Sequence, residues 1–360
     1  MVSLGWVKYL GTPPLFHYLI RKTELSASDT IFITGADGFI GSHLCESLVR
    51  SGQFNVKALV NYNSFNSFGW LDQSTALSSE NLNVVSGDIR DHSFISKTME
   101  GVDFVLHLAA LIAIPHSYTS PESYVQTNVL GTLNVLEAAR AAGVKRLIHT
   151  STSETYGTAR YVPITEEHPL TAQSPYAATK IAADKLVESF YLSFDMPVVT
   201  VRPFNTYGPR QSARAVIPTV ISQILSGKRQ INLGSSSPTR DFSYVSDTVA
   251  GFETILNSTL GLGETFNLGT GFEISVLDTV KLIGDIMGVN VEIISENERI
   301  RPENSEVERL LADTSKTQAT FGWKPAHTGE EGLRQGLEKT VKWFSNPENL
   351  ARYKTEAYNT

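Results

Sequence analysis

Tyr176-Ala-Ala-Thr-Lys180 places a phenol and an ammonium at i and i+4, one turn apart on one helix face, where both can act on a single ligand. An ammonium beside a phenol stabilises phenolate, so a group that ionises near pH ~10 in water becomes available as a base closer to neutrality. Upstream, Ser151-Thr152-Ser153-Glu154 follows an apolar run and offers hydroxyls and a carboxylate. A third segment is suited to binding. Thr30-Ile-Phe-Ile-Thr34 runs into Gly35-Ala-Asp37-Gly38-Phe39-Ile40-Gly41 and on into Ser42–Arg50, giving strand, glycine turn and amphipathic helix in order. Glycine permits the tight turn and lets a pyrophosphate approach the backbone, while the helix N-terminus faces the anion. The spacing is G-x-x-G-x-x-G rather than G-x-G-x-x-G. An acid about 20 residues further on normally holds the ribose hydroxyls of a bound dinucleotide. Here the second strand ends Val60-Asn61-Tyr62, so Asn61 is the candidate, and NAD is favoured while NADP stays open.

These residues need a frame. From Thr30 onward short β-rich runs alternate with amphipathic stretches, which argues for βαβ units and a parallel sheet. Strands are expected at Thr30–Thr34, Val56–Val60, Leu82–Val85, Phe104–Leu108, Leu147–Thr150 and Val198–Val201. Helices are expected at Glu122–Ala142, stopped by Gly143, and at Ser174–Phe194. After about Pro203 the chain carries more Pro and Gly punctuation, with helices expected at Ala215–Ser226, Val245–Leu256, Val276–Ile286 and Gly332–Phe344. The fold class is α/β: a Rossmann-type doubly wound parallel sheet with a smaller mixed α/β C-terminal substrate-binding domain. The expected division is an N-terminal arm (1–28), a dinucleotide-binding domain (29–205), a cap interleaved with it (206–345) and a C-terminal tail (346–360).

The composition fits such a protein. Of 360 residues 41% are hydrophobic and 19% charged, enough apolar content for a core and too little charge for a disordered chain. A net charge of −7 offers no general attraction to nucleic acid or anionic membranes, and neither is expected as a partner. The lone Cys45 can form neither an intrachain disulfide nor a thiolate zinc site. No metal is expected, and the compartment is read as reducing and cytoplasmic. No stretch approaches the ~20 apolar residues of a membrane span.

Read together, GADGFIG (Gly35–Gly41), GDIRD (Gly87–Asp91), HLAA (His107–Ala110), NVLGT (Asn128–Thr132), STSETYG (Ser151–Gly157), YAATK (Tyr176–Lys180) and RPFNTYGPR (Arg202–Arg210) resemble the extended short-chain dehydrogenases/reductases that act on nucleotide sugars. The resemblance runs from about Thr30 to Phe344. It implies that Asp88 and Ile89 flank the adenine, that Leu108, Ala109 and Ala110 lie along the cofactor, and that Thr152, Tyr176 and Lys180 form the hydride-transfer centre. It further implies that Asn128, Pro203, Phe204 and Asn205 line the nicotinamide and sugar regions, and that the chain is a homodimer built through the helices at Glu122–Ala142 and Ser174–Phe194.

The triplet Thr152-Ser153-Glu154 bears on the reaction. An epimerase working by redox alone needs no further acid or base, whereas loss of water needs a base for the proton beside a transient ketone, and Glu154 supplies one. The triplet resembles the Thr-Ser-Glu of GDP-mannose 4,6-dehydratases and of UDP-glucuronate decarboxylases. It differs at Ser153 from the Thr-Asp-Glu of dTDP-glucose 4,6-dehydratases. Stretches at Tyr62–Asp72, Gln211–Pro218 and Arg301–Leu311 resemble GDP-N-acetylglucosamine 4,6-dehydratases of legionaminic acid routes. By the same resemblance Arg214, Arg240, Arg301 and Glu306 fall where nucleotide-sugar contacts lie, Arg240 towards the diphosphate.

Overall fold

In a computed structural model the described residues are 25–354, so most of the expected N-terminal arm and the last residues of the tail lie outside them. The first half of the chain contributes β1 (Thr30–Thr34), β2 (Asn55–Asn61), β3 (Leu82–Gly87), β4 (Phe104–His107), β5 (Arg146–Thr150) and β6 (Val198–Pro203). The second half adds β7 (Asn205–Tyr207), β8 (Gln230–Leu233), β9 (Thr239–Tyr244), β10 (Thr265–Leu268), β11 (Glu273–Ser275) and β12 (Glu292–Ser295). Seven strands pair in parallel in the order β10-β6-β5-β4-β1-β2-β3. The order reverses direction between β1 and β4, and the crevice at the carboxyl ends of such strands is where α/β sheets take ligands.

Strand alternation explains why helices cover both faces. On β1, Ile31 and Ile33 enter one core cluster with Leu44, Cys45 and Leu48 of helix Phe39–Ser51 and with Phe252 and Ile255 of helix Val245–Leu256. Phe32 enters a second cluster, with Val135 and Leu136 of helix Gly131–Ala142 and Val187 and Phe190 of helix Pro175–Phe194. Cys45 lies in the first cluster, where burial pushes its thiol up to about 12 and leaves it unreactive.

Three features differ from the sequence expectation. The sheet has a seventh strand, β10, contributed from beyond residue 205, so the chain returns from the cap to the first sheet. The helix expected over Glu122–Ala142 is a short turn, Pro121–Tyr124, then a π-helical segment, Val125–Leu130, then Gly131–Ala142. The π segment contains Asn128, whose amide bonds both backbone groups of Leu111 at 2.8 and 2.9 Å and Thr179 Oγ1 at 3.0 Å. Finally, β4 stops at His107, and the Leu108 and Ala109 N–H groups turn to Thr34 Oγ1, each at 3.1 Å.

The remaining strands form two small sheets, β11-β9-β7 and β12-β8. A segment at 301–312 crosses back, bridging Arg309 to Thr239 of the cap and Ala312 to Ile164 of the loop after β5. Tyr156, Ile164, Phe204, Val307 and Leu310 close a further small core there.

Arg146, at the start of β5, is wholly buried and holds the returning chain. Its guanidinium donates to the carbonyls of Ile255 at 2.7 Å and Leu260 at 3.1 Å, and burial lowers its pKa to about 10. Arg146→Met leaves both carbonyls bare, and the unfolding free energy in a urea titration is expected to fall by about 2–4 kcal/mol.

Candidate active site

The glycine turn follows β1 directly. Gly35 has φ +72° and packs so closely on the strand-four loop that a Cβ would lie 2.8 Å from Ala109 N, while a Cβ on Gly41 would collide with the Gly35 carbonyl. Helix Phe39–Ser51 begins at Gly38 with no side-chain cap and no acid in its first turn. Its first N–H groups are therefore left without a side-chain acceptor, an arrangement that can hold a pyrophosphate. The Asp37 carboxylate accepts from Asn61 N at 3.3 Å, and burial raises its pKa against that bond. At the end of β3, Asp88 is clasped by Arg90, which holds its carboxyl low, and the buried Ile89 side chain packs against Gly131. Ala110 continues the loop that leaves β4, and Pro203 ends β6 on the same side of the sheet. Asn205 follows, with its buried Oδ1 meeting no partner.

The reactive groups gather at the ends of β5 and β6. Thr152 caps the 3-10 turn Ser153–Tyr156, accepting from Glu154 N at 3.2 Å, and its side chain also hydrogen-bonds the Tyr176 phenol. Ser174 caps helix Pro175–Phe194, with Oγ accepting from Ala177 N at 3.1 Å, which sets Tyr176 in the first turn. Lys180, one turn on, is buried, and its Nζ donates to Thr150 O at 2.7 Å. Desolvation lowers the Lys180 pKa to about 8 against the opposing charge of Asp184. Burial raises the Tyr176 phenol; the Thr152 bond pulls it down, and the charges of Glu154 and Asp184 push it further up. The lowering expected from Lys180 is thus not the leading influence on the phenol: the ammonium is bonded to a carbonyl, and Thr152 is the phenol's direct partner. The charge of Glu154 acts on both Tyr176 and Arg240.

On the cap side, three expected residues come together. Arg240 Nη2 lies 3.2 Å from Glu306 Oε1 and Arg301 Nη1 lies 3.7 Å from the same atom. Arg301 Nη1 is buried, and its ion pair with Glu306 is too long to be a hydrogen bond. Arg214 has its Nε 3.2 Å from Ser212 Oγ, and its charge reaches Tyr124, whose ring meets Tyr176 edge-on at 6.4 Å.

Beneath these groups is a network that the sequence reading missed. Asp184 Oδ2 accepts from Ser151 Oγ at 2.7 Å and Arg202 Nη2 at 2.8 Å, and His149 Nε2 lies 3.2 Å from Oδ1. The signal was present: Asp184 continues the Tyr176/Lys180 spacing by another four residues.

Comparison with known proteins agrees with this geometry. Residues 32–336 match the GDP-mannose 4,6-dehydratase family. The chain belongs to that family. It is 33% identical over 332 residues to the human dTDP-D-glucose 4,6-dehydratase, covering 90% of this chain and 91% of that one. A Streptomyces venezuelae dTDP-glucose 4,6-dehydratase solved with NAD and TYD bound superimposes with a TM-score of 0.80 at 28% identity, over 90% of this chain and 99% of that one. A Bacillus cereus UDP-glucuronic acid 4-epimerase in complex with UDP-glucuronic acid and NAD gives 0.79 at 27%, over 90% and 100%. The family thus includes neighbours that dehydrate and neighbours that epimerise nucleotide sugars. Among the described residues there is no cluster able to hold a metal ion and no helix long and apolar enough to cross a membrane.

His149 is fully buried, and desolvation lowers its pKa from 6.5 to about 4. Between those values the unfolded chain holds a proton that the folded chain does not, so stability falls as pH drops from 6.5 to about 4, by on the order of 3 kcal/mol for this group. Asp184, depressed from 3.8 to about 2, adds its own loss only below 3.8. Denaturant titrations of His149→Asn are expected to show a shallower decline than wild type between pH 6.5 and 4.

Proposed function

We propose that the protein is an NAD-dependent nucleotide-sugar 4,6-dehydratase whose substrate is a GDP-hexose, GDP-N-acetylglucosamine first among them, and that it works as a cytoplasmic homodimer. The observation that carries the reading is Glu154, a carboxylate whose backbone N–H is bonded by Thr152, the partner of the Tyr176 phenol, and whose charge acts on both Tyr176 and Arg240. A centre for C4 redox alone has no use for it.

NAD fits the glycine cradle and the uncapped helix N-terminus, and when bound it supplies the redox chemistry, taking up a hydride and returning it. Gly35, Gly38 and Gly41 would hold the pyrophosphate, with Asp88, Ile89 and Asn61 towards the adenosine. Leu108, Ala109, Ala110, Asn128 and Pro203 would lie along the rest. Tyr176 removes the proton of the C4 hydroxyl while Thr152 donates to the forming carbonyl oxygen. Lys180 keeps its positive charge at neutral pH and offsets the cost of a buried phenolate. The C4 ketone acidifies C5–H, and Glu154 takes that proton as the C6 hydroxyl departs. Because Ser153 is a poor acid, Glu154 or a water protonates the leaving oxygen, so one water is released. With a hydride restored at C6 and a proton at C5, equal to the one Tyr176 removed from the C4 hydroxyl, the sugar leaves as the 4-keto-6-deoxy compound and Tyr176 is free of its proton for the next turnover. Arg240, Arg301 and Asn205 would bind the diphosphate and sugar. Glu306 holds the two guanidiniums side by side.

A second reading, a 4-epimerase or UDP-glucuronate decarboxylase using the same redox pair, is favoured by the likeness to the Bacillus cereus epimerase. Incubating the purified protein separately with GDP-N-acetylglucosamine, GDP-mannose, UDP-N-acetylglucosamine and UDP-glucuronate, and weighing the products, separates these. Loss of about 18 mass units, one water, from a GDP-sugar is expected; carbon dioxide loss or an unchanged mass with inverted C4 replaces the proposal. Glu154→Gln should lower the rate of water loss by at least about 100-fold, the usual scale of a removed general base, while exchange of the C4 hydrogen continues. A wild-type dehydration rate in that variant removes Glu154 as the base.

A further inference from the structure

We propose that Asp37, supplied by the glycine turn, stands in for the acid that the second strand lacks and makes the site select NAD over NADP. This rests on the reading of the turn as a dinucleotide site. A carboxylate at the end of the second strand of a βαβ unit accepts from the ribose hydroxyls and repels a 2′-phosphate. In this chain β2 ends in the neutral Asn61, yet a carboxylate is there all the same: Asp37 Oδ2 accepts from the backbone N–H of Asn61 at 3.3 Å.

The position of Asp37 is held from the opposite side. Trp70 N donates to the Asp37 carbonyl at 3.1 Å, and Gly69, at φ +63°, fits so closely that a Cβ would lie 2.6 Å from that oxygen and 2.8 Å from Asp37 Cβ. Trp70 is itself wedged against Trp343 and Tyr353, with ring centroids 5.6 and 5.8 Å away, so the loop that fixes Asp37 is anchored on the C-terminal segment. The charges around it favour an unphosphorylated ribose. β3 lies beside β2 with Gly87 opposite Asn61, and the next residue, Asp88, is a second acid. The basic side chain that follows, Arg90, is taken up by Asp88 through Nε at 2.9 Å and Nη2 at 2.5 Å. A 2′-phosphate would thus meet two carboxylates and a guanidinium already paired, whereas NADP sites place a basic side chain there.

Calorimetric titration of the full chain with NAD+ and with NADP+ tests this without turnover or a sugar substrate. Wild type is expected to prefer NAD+ by about 100-fold or more, roughly 2.7 kcal/mol. Asp37→Asn keeps the size of the side chain and removes its charge, so it should tighten NADP+ binding. Asp37→Ala should also weaken NAD+ by removing the acceptor. In both variants the preference should narrow at least tenfold, with an unchanged melting temperature showing that the fold is intact. If both nucleotides bind and neither variant changes the ratio, Asp37 does not select the cofactor. Should wild type bind neither, the dinucleotide reading itself fails, and the inference falls with it.

Discussion

The buried carboxylate of Asp184 is the constraint on which the candidate site depends. An anion cannot be left unpaired in a core, and here the compensating groups come from three different elements. Ser151 follows the end of β5, Arg202 belongs to β6, and Lys180 to the same helix one turn earlier. Each of these stands next to a residue of the site. Thr152 to Glu154 follow Ser151, Phe204 and Asn205 follow Arg202, and Tyr176 precedes Lys180 by one turn. Satisfying one charge therefore sets the relative height of two strands and a helix. The Tyr156 hydroxyl, which takes a bond from Arg202 at 3.0 Å and gives one to Asn267 at 2.8 Å, extends the same network to β10.

At the other end of the crevice the constraint is steric. Gly35 and Gly41 leave no room for a side chain between the first strand, the first helix and the loop after β4. Thr34 Oγ1 then accepts from both Leu108 and Ala109 and lies 2.8 Å from His107 Nδ1, joining β1 to β4 where the sheet order reverses. Burial and the neighbouring charges of His149 and Lys180 hold His107 well below its usual pKa, so the ring is neutral and acts as a bridge to Thr132 at 3.0 Å. The pyrophosphate end of the crevice thus has a neutral ring beneath it and N–H donors at the start of the first helix, while the carboxylates of Asp37 and Asp88 stand further out, at the ends of β2 and β3.

What could be read in the sequence was local. The Tyr176/Lys180 spacing, the glycine turn, β1 and helices such as Val245–Leu256 and Val276–Ile286 depend on residues a few positions apart, and each is found where its pattern places it. What could not be read depends on residues far apart in the chain. β10 is only four residues long, and its Asn267 is buried because Tyr156, Ile164 and Glu166 bond it across more than a hundred positions. The π turn at Val125–Leu130 breaks a helical period that the sequence carries without a flaw, and its cause, the hold of Asn128 on Leu111, appears only in three dimensions. Asp37 is read from the sequence as a cofactor-binding member of the glycine turn, but that its carboxylate lies at the end of β2 appears only in the structure.

The two halves of the candidate site are also coupled through the segment at 301–312, which carries Arg301 and Glu306. Gln173, three residues ahead of Tyr176, donates to the carbonyls of Asn304 at 3.1 Å and Glu306 at 3.0 Å, and its side-chain oxygen accepts from Thr158 N at 2.5 Å. Ser305 Oγ donates to the Gln173 carbonyl at 2.5 Å and pairs with the Tyr118 hydroxyl at 2.6 Å. Arg301 and Glu306 therefore stand on a segment tied directly to the residue that leads into the tyrosine helix. On the proposed assignment of Arg240 and Arg301 to the diphosphate, the segment that carries Arg301 and Glu306 and the residues that lead into the tyrosine helix share one set of hydrogen bonds.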